Sequence, residues 1–155
     1  MKQTLSSEDR VAVHTPGRLN EHIRFMTDQS IEYHAMHPER IGIRLKELRD
    51  EWDIERILET NASSLMLTGT FLGVFVNKKW LGLSAAVAGF LLQHAVQGWC
   101  PPISILRRIG VRTKEEIERE RAALRALRGD FNSLHAARNA SHKEKVDAVF
   151  AAINE

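Results

Sequence analysis

Residues 63–99 read SSLMLTGTFLGVFVNKKWLGLSAAVAGFLLQHAVQGW, and this stretch decides the fold of the 155-residue chain. Its only formal charges are Lys78 and Lys79, which separate an apolar run at residues 63–76 from a second run at 80–99. Apolar runs of this length without charge are typical of buried or membrane-embedded helices. The short NKK connection predicts that the two helices form a tight antiparallel hairpin.

The two runs favour a transmembrane hairpin over a soluble one. About 20 apolar residues are needed to cross a typical bilayer. The second run has this length and is bracketed by Trp80 and Trp99, as expected for aromatic side chains at the two membrane interfaces. The first run reaches it only when extended back through Ile57, which takes in Glu59. A chain this short could hardly bury two such helices on all sides in water.

Small residues at helical spacing predict where the hairpin helices associate. Membrane helices pack through such residues because lipid supplies no hydrophobic drive between them. The predicted packing positions are Gly69, Gly73, Gly82, Ala85, Ala86 and Gly89.

The charged flanks predict helical extensions, so the fold class is all-α. Three parts are expected: an N-terminal cytoplasmic extension at 1–57, the transmembrane hairpin at 58–112 and a charged C-terminal extension at 113–155. The N-terminal part holds a helix before Pro38 and a long amphipathic helix after it, which either packs against another helix or lies on the membrane surface. In the C-terminal part, Thr113-x-x-Glu116 and Ser141-x-x-Glu144 are capping boxes that open two more helices.

The positive charges predict the orientation of the hairpin. Arginines and lysines cluster before the first span and after the second, whereas the loop holds two lysines. The positive-inside rule therefore places both termini in the cytoplasm of a multi-pass protein. The predicted interface anchors are Trp52, Trp80, Trp99, Arg107 and Arg108.

Composition excludes several classes of protein. A formal net charge of +2 is too small to indicate a nucleic-acid partner. A single cysteine excludes an intramolecular disulfide framework, and the N-terminus has no apolar segment typical of a signal peptide. The sequence contains no phosphate-binding loop, nucleophile elbow or paired carboxylates, so a non-catalytic protein without cofactor or bound metal is expected.

A few residues are nevertheless candidates for a chemical role. His94, between Gln93 and Gln97, is a candidate ligand for haem or a contact for quinone, although polar groups at this depth more often pair across the hairpin. Cys100 is a candidate for sulfur or redox chemistry, although a lone cysteine is more often a small apolar residue. His34-x-x-His37 is a weak candidate for zinc, since its spacing completes no recognised ligand set.

The end of the second run resembles a known family. Gly98, Trp99, Cys100 and Pro101 are similar to the Gly-aromatic-Cys-Pro motif of the YgaP-type transmembrane domain, and Leu106, Gly110 and Val111 match the residues after that motif. The resemblance covers roughly residues 58–113. It implies a two-helix module of the bacterial inner membrane that often follows a rhodanese sulfurtransferase domain. Here no cysteine precedes Cys100 and residues 1–57 are too few for a rhodanese, so sulfur transfer does not carry over.

These observations predict an accessory or scaffold subunit of the bacterial inner membrane. The hairpin would associate with a second copy or with a larger membrane complex through its small-residue faces. The alternatives are a sulfur or redox carrier that uses Cys100, and a membrane subunit that binds haem or quinone through His94.

Overall fold

The computed structural model describes residues 11–97, 100–132, 137 and 140–154, and over this part of the chain it contains helices and no strand. The all-α prediction is therefore confirmed. Short 3-10 turns at Pro38–Arg40 and Lys78–Trp80 precede the second and fourth helices. The α-helices are α1 (Gly17–Met36), α2 (Ile41–Asp50), α3 (Ile54–Phe75), α4 (Leu81–Gln97), α5 (Pro101–Arg108), α6 (Lys114–Arg128) and α7 (His142–Asn154).

Packing divides the chain into two compact units. The first comprises Met1–Phe25 with Glu51–Ile117, and the second comprises Met26–Asp50 with Glu118–Glu155. This differs from the three consecutive parts expected from charge. Composition marks where charged residues are concentrated, whereas the units reflect which helices pack together, so each charged extension contributes to both units.

The long amphipathic helix expected after Pro38 is two helices. The chain leaves helical geometry at residues 51–53, and Asp53 then caps α3 by accepting a hydrogen bond from the Arg56 N–H at 2.7 Å. The Ile54 N–H, which lacks a partner inside its own helix, donates to the Arg112 carbonyl at 3.0 Å. This hydrogen bond joins the start of α3 to the segment between α5 and α6.

The Asp53 cap gives a first testable expectation. Asp53→Ala should destabilise the first unit by about 1 kcal/mol, because the Arg56 N–H at the start of α3 loses its acceptor. The measurement is the midpoint of thermal unfolding followed by circular dichroism in detergent micelles. Asp53→Asn is the matched control, since asparagine caps about as well as aspartate. Equal midpoints for the alanine and asparagine variants would show that the cap contributes nothing.

Helices α3 and α4 form the expected antiparallel hairpin. The chain turns at Asn77, whose side chain accepts a hydrogen bond from the Lys79 N–H at 3.0 Å and whose carbonyl accepts one from the Trp80 N–H at 3.0 Å. Among the described residues, no helix is both long enough and apolar enough to meet the requirements for crossing a bilayer.

Helix α5 closes the end of the hairpin opposite this turn. It begins directly at Pro101 and Pro102, which are tolerated there because the first helical residues have no intrahelical acceptor for an N–H. The two prolines therefore start a helix. The core of the first unit is formed by Val11, Ile54, Leu58, Cys100 and Ile103, with Leu106 and Val111 packed against it.

The second unit is held together by two buried carboxylates. Glu120 is 0% exposed; it accepts a hydrogen bond from the Ser30 hydroxyl at 2.6 Å and pairs with the Arg44 guanidinium at 2.9 Å. Asp130 pairs with Arg128 at 2.6 Å and with Arg125 at 2.9 Å. These carboxylates fix α1, α2, α6 and the residues after α6 within this unit.

The ion pairs of Asp130 predict how the stability of this unit changes in acid. The hydrogen bond from Arg128, reinforced by Arg125 against the cost of burial, lowers the pKa of the Asp130 carboxyl from 3.8 to about 2. A lowered folded-state pKa contributes stability that is complete above about pH 4 and is lost as the pH falls towards 2. The difference between these two pKa values corresponds to about 2 kcal/mol in the free energy of unfolding.

Asp130→Asn should therefore destabilise the second unit at pH 7 and flatten its acid unfolding between pH 4 and pH 2. Helicity measured by circular dichroism across an acid titration tests this. Asp147→Asn, at an exposed position of α7, is the control and should leave the titration unchanged. An acid titration of the Asp130 variant that matches the wild type would contradict the expectation.

Candidate functional site

The contact between α3 and α4 is built on two of the predicted small residues. A Cβ at Gly69 would lie 2.7 Å from the Ser84 hydroxyl and 3.1 Å from the Ser84 backbone nitrogen. A Cβ at Gly73 would lie 2.5 Å from a terminal carbon of Leu81. A methyl group at Gly69 would press on backbone atoms of α4 and its preceding turn, and one at Gly73 would displace the Leu81 side chain, so both glycines favour this close approach of the helices. Both glycines are buried.

The other predicted packing positions do not take part in this contact. A Cβ added at Gly82 or Gly89 would have none of the described residues within 4 Å beyond its own helix, and Ala85 and Ala86 are exposed. Spaced at three and four residues, they form a small-residue stripe on the surface of α4, defined as Gly82, Ala85, Ala86 and Gly89. The stripe leaves α4 with a face that a second helix can approach closely.

Apolar side chains cover the outside of the hairpin. They are exposed on both helices and at the turn, whereas water-soluble helices normally expose such residues singly. The exposed set is Leu65, Leu67, Phe71, Val74, Phe75, Val76, Trp80, Leu81, Phe90, Leu92 and Val96.

Polar side chains of the hairpin form hydrogen bonds within it. Asn61, Ser64 and Thr68 each donate to the backbone carbonyl four residues earlier, at 2.7–2.9 Å. The Ser84 hydroxyl donates to the Met66 carbonyl at 2.9 Å and lies 3.1 Å from the Thr70 hydroxyl. The hydroxyl groups of Ser64, Thr68 and Ser84 therefore donate their hydrogen bonds without water, as an apolar environment demands.

A cavity of about 560 Å³ lies at the end of the hairpin, between α3, α4 and α5. Its polar lining side chains are Asn61 from α3 and His94 from α4, with the thiol of Cys100 at the start of α5. Sequence reasoning singled out His94 and Cys100 separately; the structure brings them to one cavity. It missed Asn61, because an exposed asparagine in a helix gives no sequence signal. The apolar lining residues are Leu58, Ala62, Leu65, Val87, Phe90, Leu91, Pro101, Pro102, Ile105 and Leu106.

Cys100 is a buried side chain rather than a reactive one. It is 4% exposed and belongs to the core of the first unit. Burial raises the pKa of the Cys100 thiol and outweighs the opposing hydrogen bond from the Ile103 N–H. Its position before α5 puts it at a helix N-terminus, which the sequence did not indicate. The thiol nevertheless stays protonated, and a protonated thiol is a poor nucleophile.

The predicted interface anchors differ in their exposure to solvent. Trp52 and Trp80 are exposed, and the guanidinium of Arg56 stacks 4.3 Å from the Trp52 ring centre. Arg108 is exposed on α5. Trp99 lies outside the described residues.

Arg107 does not act as a surface anchor, because it is 1% exposed. Its two terminal nitrogens bind both carboxylate oxygens of Glu116, at 2.7 and 2.8 Å, and also donate to the Val111 carbonyl and the Asn20 side chain. Burial alone would raise the pKa of Glu116, but the hydrogen bonds from Arg107 and the Thr113 N–H lower it overall. Arg107 was expected at the membrane surface because sequence shows its charge and not its partner.

His34, near the end of α1, and His37, directly after it, form local contacts. A ring nitrogen of His34 lies 2.7 Å from the Ser30 carbonyl, and one of His37 lies 2.8 Å from the Tyr33 carbonyl. Within the residues that the structure describes, no group of three or more histidine, cysteine, aspartate or glutamate side chains is arranged to hold a metal ion.

Comparison of the chain with protein-family models, with curated proteins and with solved structures finds no match.

Proposed function

We propose that this chain is a non-catalytic protein of the bacterial inner membrane, in which the hairpin α3–α4 is embedded in lipid and the small-residue stripe joins it to a second copy or to a larger complex. The observation that carries the proposal is the pairing of two surface properties. Apolar side chains face outward around the hairpin, while hydroxyls of the same helices donate to backbone carbonyls of the hairpin. In water this arrangement exposes a large apolar surface.

The dimensions of the hairpin fit a thin or locally thinned bilayer. Helix α4 has 17 residues, which at 1.5 Å per residue is about 26 Å, against a hydrocarbon core of about 30 Å. Shorter spans are accommodated by local thinning at a modest cost per ångström. The charged residues of α3, Glu55, Arg56 and Glu59, lie in its first two turns, at the level of the interface. The similarity of residues 98–113 to the YgaP-type domain supports the same assignment.

The small-residue stripe supports association. Gly69 and Gly73 form the contact inside the hairpin, whereas the small-residue stripe is open to contact with a further helix. Close approach of helix backbones through glycine and alanine is a common way for membrane helices to pair. We place both termini in the cytoplasm, because arginine and lysine flank the two spans.

Fractionation of the expressed full chain tests the proposal. Membranes are washed with carbonate, extracted with detergent, and the extract is resolved on native gels. Retention through carbonate and release by detergent are expected, with migration above the mass of a monomer. Release by carbonate would refute the embedded hairpin.

A charge placed on the outer face sharpens this test. Leu67 is 72% exposed in the middle of the uncharged part of α3, so Leu67→Lys should lower the carbonate-resistant fraction markedly. A lysine near the centre of a span costs about 3 kcal/mol for insertion. Val146→Lys, on an exposed position of α7, adds the same charge outside the hairpin and should leave the fraction unchanged. Equal fractions for the two variants would contradict the proposed location of α3.

A carrier role for Cys100 has less support than the scaffold role, because its thiol is buried and its pKa is raised. Cys100→Ser is accordingly expected to leave membrane retention and oligomeric state unchanged.

A further inference from the structure

We infer that the cavity between α3, α4 and α5 binds an uncharged lipophile, a molecule with an apolar body and one hydrogen-bonding oxygen, which enters from the lipid around the hairpin. The inference rests on the proposed membrane location and adds a ligand to it. The volume of about 560 Å³ lies within the range of small-molecule sites, about 300–1,000 Å³.

The residues that line the cavity favour an uncharged ligand. Among the described residues, no aspartate, glutamate, lysine or arginine lines the cavity. Arg107 follows the lining residue Leu106 directly, but its guanidinium is bound to Glu116 and Val111 and offers no charge to a ligand. An ionised group moved into this space would lose its hydration without gaining a partner. The ligand is therefore uncharged where it enters.

Two polar side chains line the cavity. His94 is 9% exposed and reaches the cavity from α4, while Asn61 reaches it from α3. The Asn61 amide nitrogen carries two N–H groups, of which one is bonded to the Ile57 carbonyl, so the other can donate to a carbonyl or hydroxyl oxygen. A few polar groups among many apolar ones is the usual composition of a site that orients a lipophilic ligand.

The cavity opens towards the apolar exterior of the hairpin. Leu65, Phe90 and Ile105 line it and are also exposed, at 48%, 50% and 63%. A molecule dissolved in lipid thus meets apolar side chains where the cavity opens. A lipid-soluble quinone and the chain of a neutral lipid share this chemistry, and the test separates them.

Cys100 provides the reporter, because it is the only cysteine in the chain and it lines the cavity. Its buried, protonated thiol reacts slowly, so alkylation is run in excess maleimide until the protein without probe is measurably modified. The full chain in lipid nanodiscs is alkylated with a small maleimide, and intact-mass spectrometry follows the modified fraction. The probes are a fully substituted decylbenzoquinone, decanol and decyl sulfate, which share a ten-carbon chain and differ in the end group. At least one uncharged probe should slow Cys100 alkylation fivefold or more, and decyl sulfate should not.

Variants separate occupancy from changes in the bilayer. Ala62→Leu fills the cavity and Leu65→Phe narrows its mouth, so both should remove the protection; Leu67→Phe, on the same helix but outside the cavity, should keep it. If Ala62→Leu fails to fold, Leu65→Phe alone decides, because its exposed site tolerates a larger ring. In the Cys100→Ala, Leu67→Cys double variant, whose reactive thiol lies outside the cavity, the probes should not slow alkylation.

Each outcome has one meaning. Stronger protection by the benzoquinone assigns the site to a quinone, and equal protection by decanol assigns it to the chain of a neutral lipid. No protection, equal protection by decyl sulfate, or equal protection of the thiol in the double variant overturns the inference. Carbonate fractionation is independent of these readouts, so an embedded protein without protection loses the ligand site and keeps the proposed function.

Discussion

Replacing Arg107 with methionine is expected to destabilise the first unit by about 3 kcal/mol. The change leaves the Glu116 carboxylate buried without its bidentate partner, and breaking a buried pair in this way typically costs about 3–5 kcal/mol. The lower end applies because the Glu116 side chain is 25% exposed and can recover some hydration. Reversible unfolding in detergent, followed by circular dichroism, measures the loss.

Two further variants identify the cause. Arg108→Met, one residue along the same helix but exposed, should cost less than about 0.5 kcal/mol. Adding Glu116→Gln to Arg107→Met should recover part of the loss, because glutamine removes the unpaired charge and still completes the capping box with Thr113. Arg107→Met and Arg108→Met variants of equal stability would show that the buried pair contributes no net stability.

Replacing Gly69 with leucine is expected to separate the two hairpin helices, at a cost of about 3 kcal/mol. The first added carbon would already lie 2.7 Å from the Ser84 hydroxyl, 3.1 Å from the Ser84 nitrogen and 3.2 Å from the Trp80 carbonyl. Two of these atoms are backbone, so a rotamer change cannot relieve the overlap. The separation also breaks the Ser84 hydrogen bond to Met66. Titration of the detergent-solubilised protein with SDS, read by circular dichroism, measures the loss.

Gly82→Leu is the matched control on the exposed face of α4. It should leave the SDS midpoint near that of the wild type, since none of the described residues outside α4 lies within 4 Å of the added carbon. If the small-residue stripe mediates association, the same variant should reduce the oligomer on native gels while the hairpin stays intact. Equal midpoints for Gly69→Leu and Gly82→Leu would contradict the close contact at Gly69.

Local signals in the sequence predicted the helices well, because they act within a few residues. Both capping boxes form: the Glu116 carboxylate accepts from the Thr113 N–H at 2.8 Å, and Glu144 accepts from the Ser141 N–H at 2.9 Å. Gly129 ends α6 in the left-handed region, at φ 92°. Gly69 and Gly73 were predicted to lie in a helix contact, and they do.

Properties that depend on distant partners were not predictable in this way. The spacing of Leu19, Ile23 and Met26 predicts one helical face for all three, yet Ile23 is buried and Met26 is 53% exposed. The helix break at Asp53 was missed because the apolar spacing continues across it. Spacing alone could not show that the small residues of α3 contact α4 while those of α4 face outward. Both sets follow the same helical spacing.

The bond between Arg107 and Asn20 has a consequence for the time course of synthesis. The two residues are 87 positions apart, and at about 5–20 residues per second a ribosome needs roughly 4–17 s to add the intervening chain. Both hairpin helices are complete within that interval, because α3 and α4 lie between the two residues. The bond from Arg107 to Asn20 can therefore form only after both hairpin helices have been synthesised, so the contact that ties α1 to α5 is later in synthesis than every residue of the hairpin.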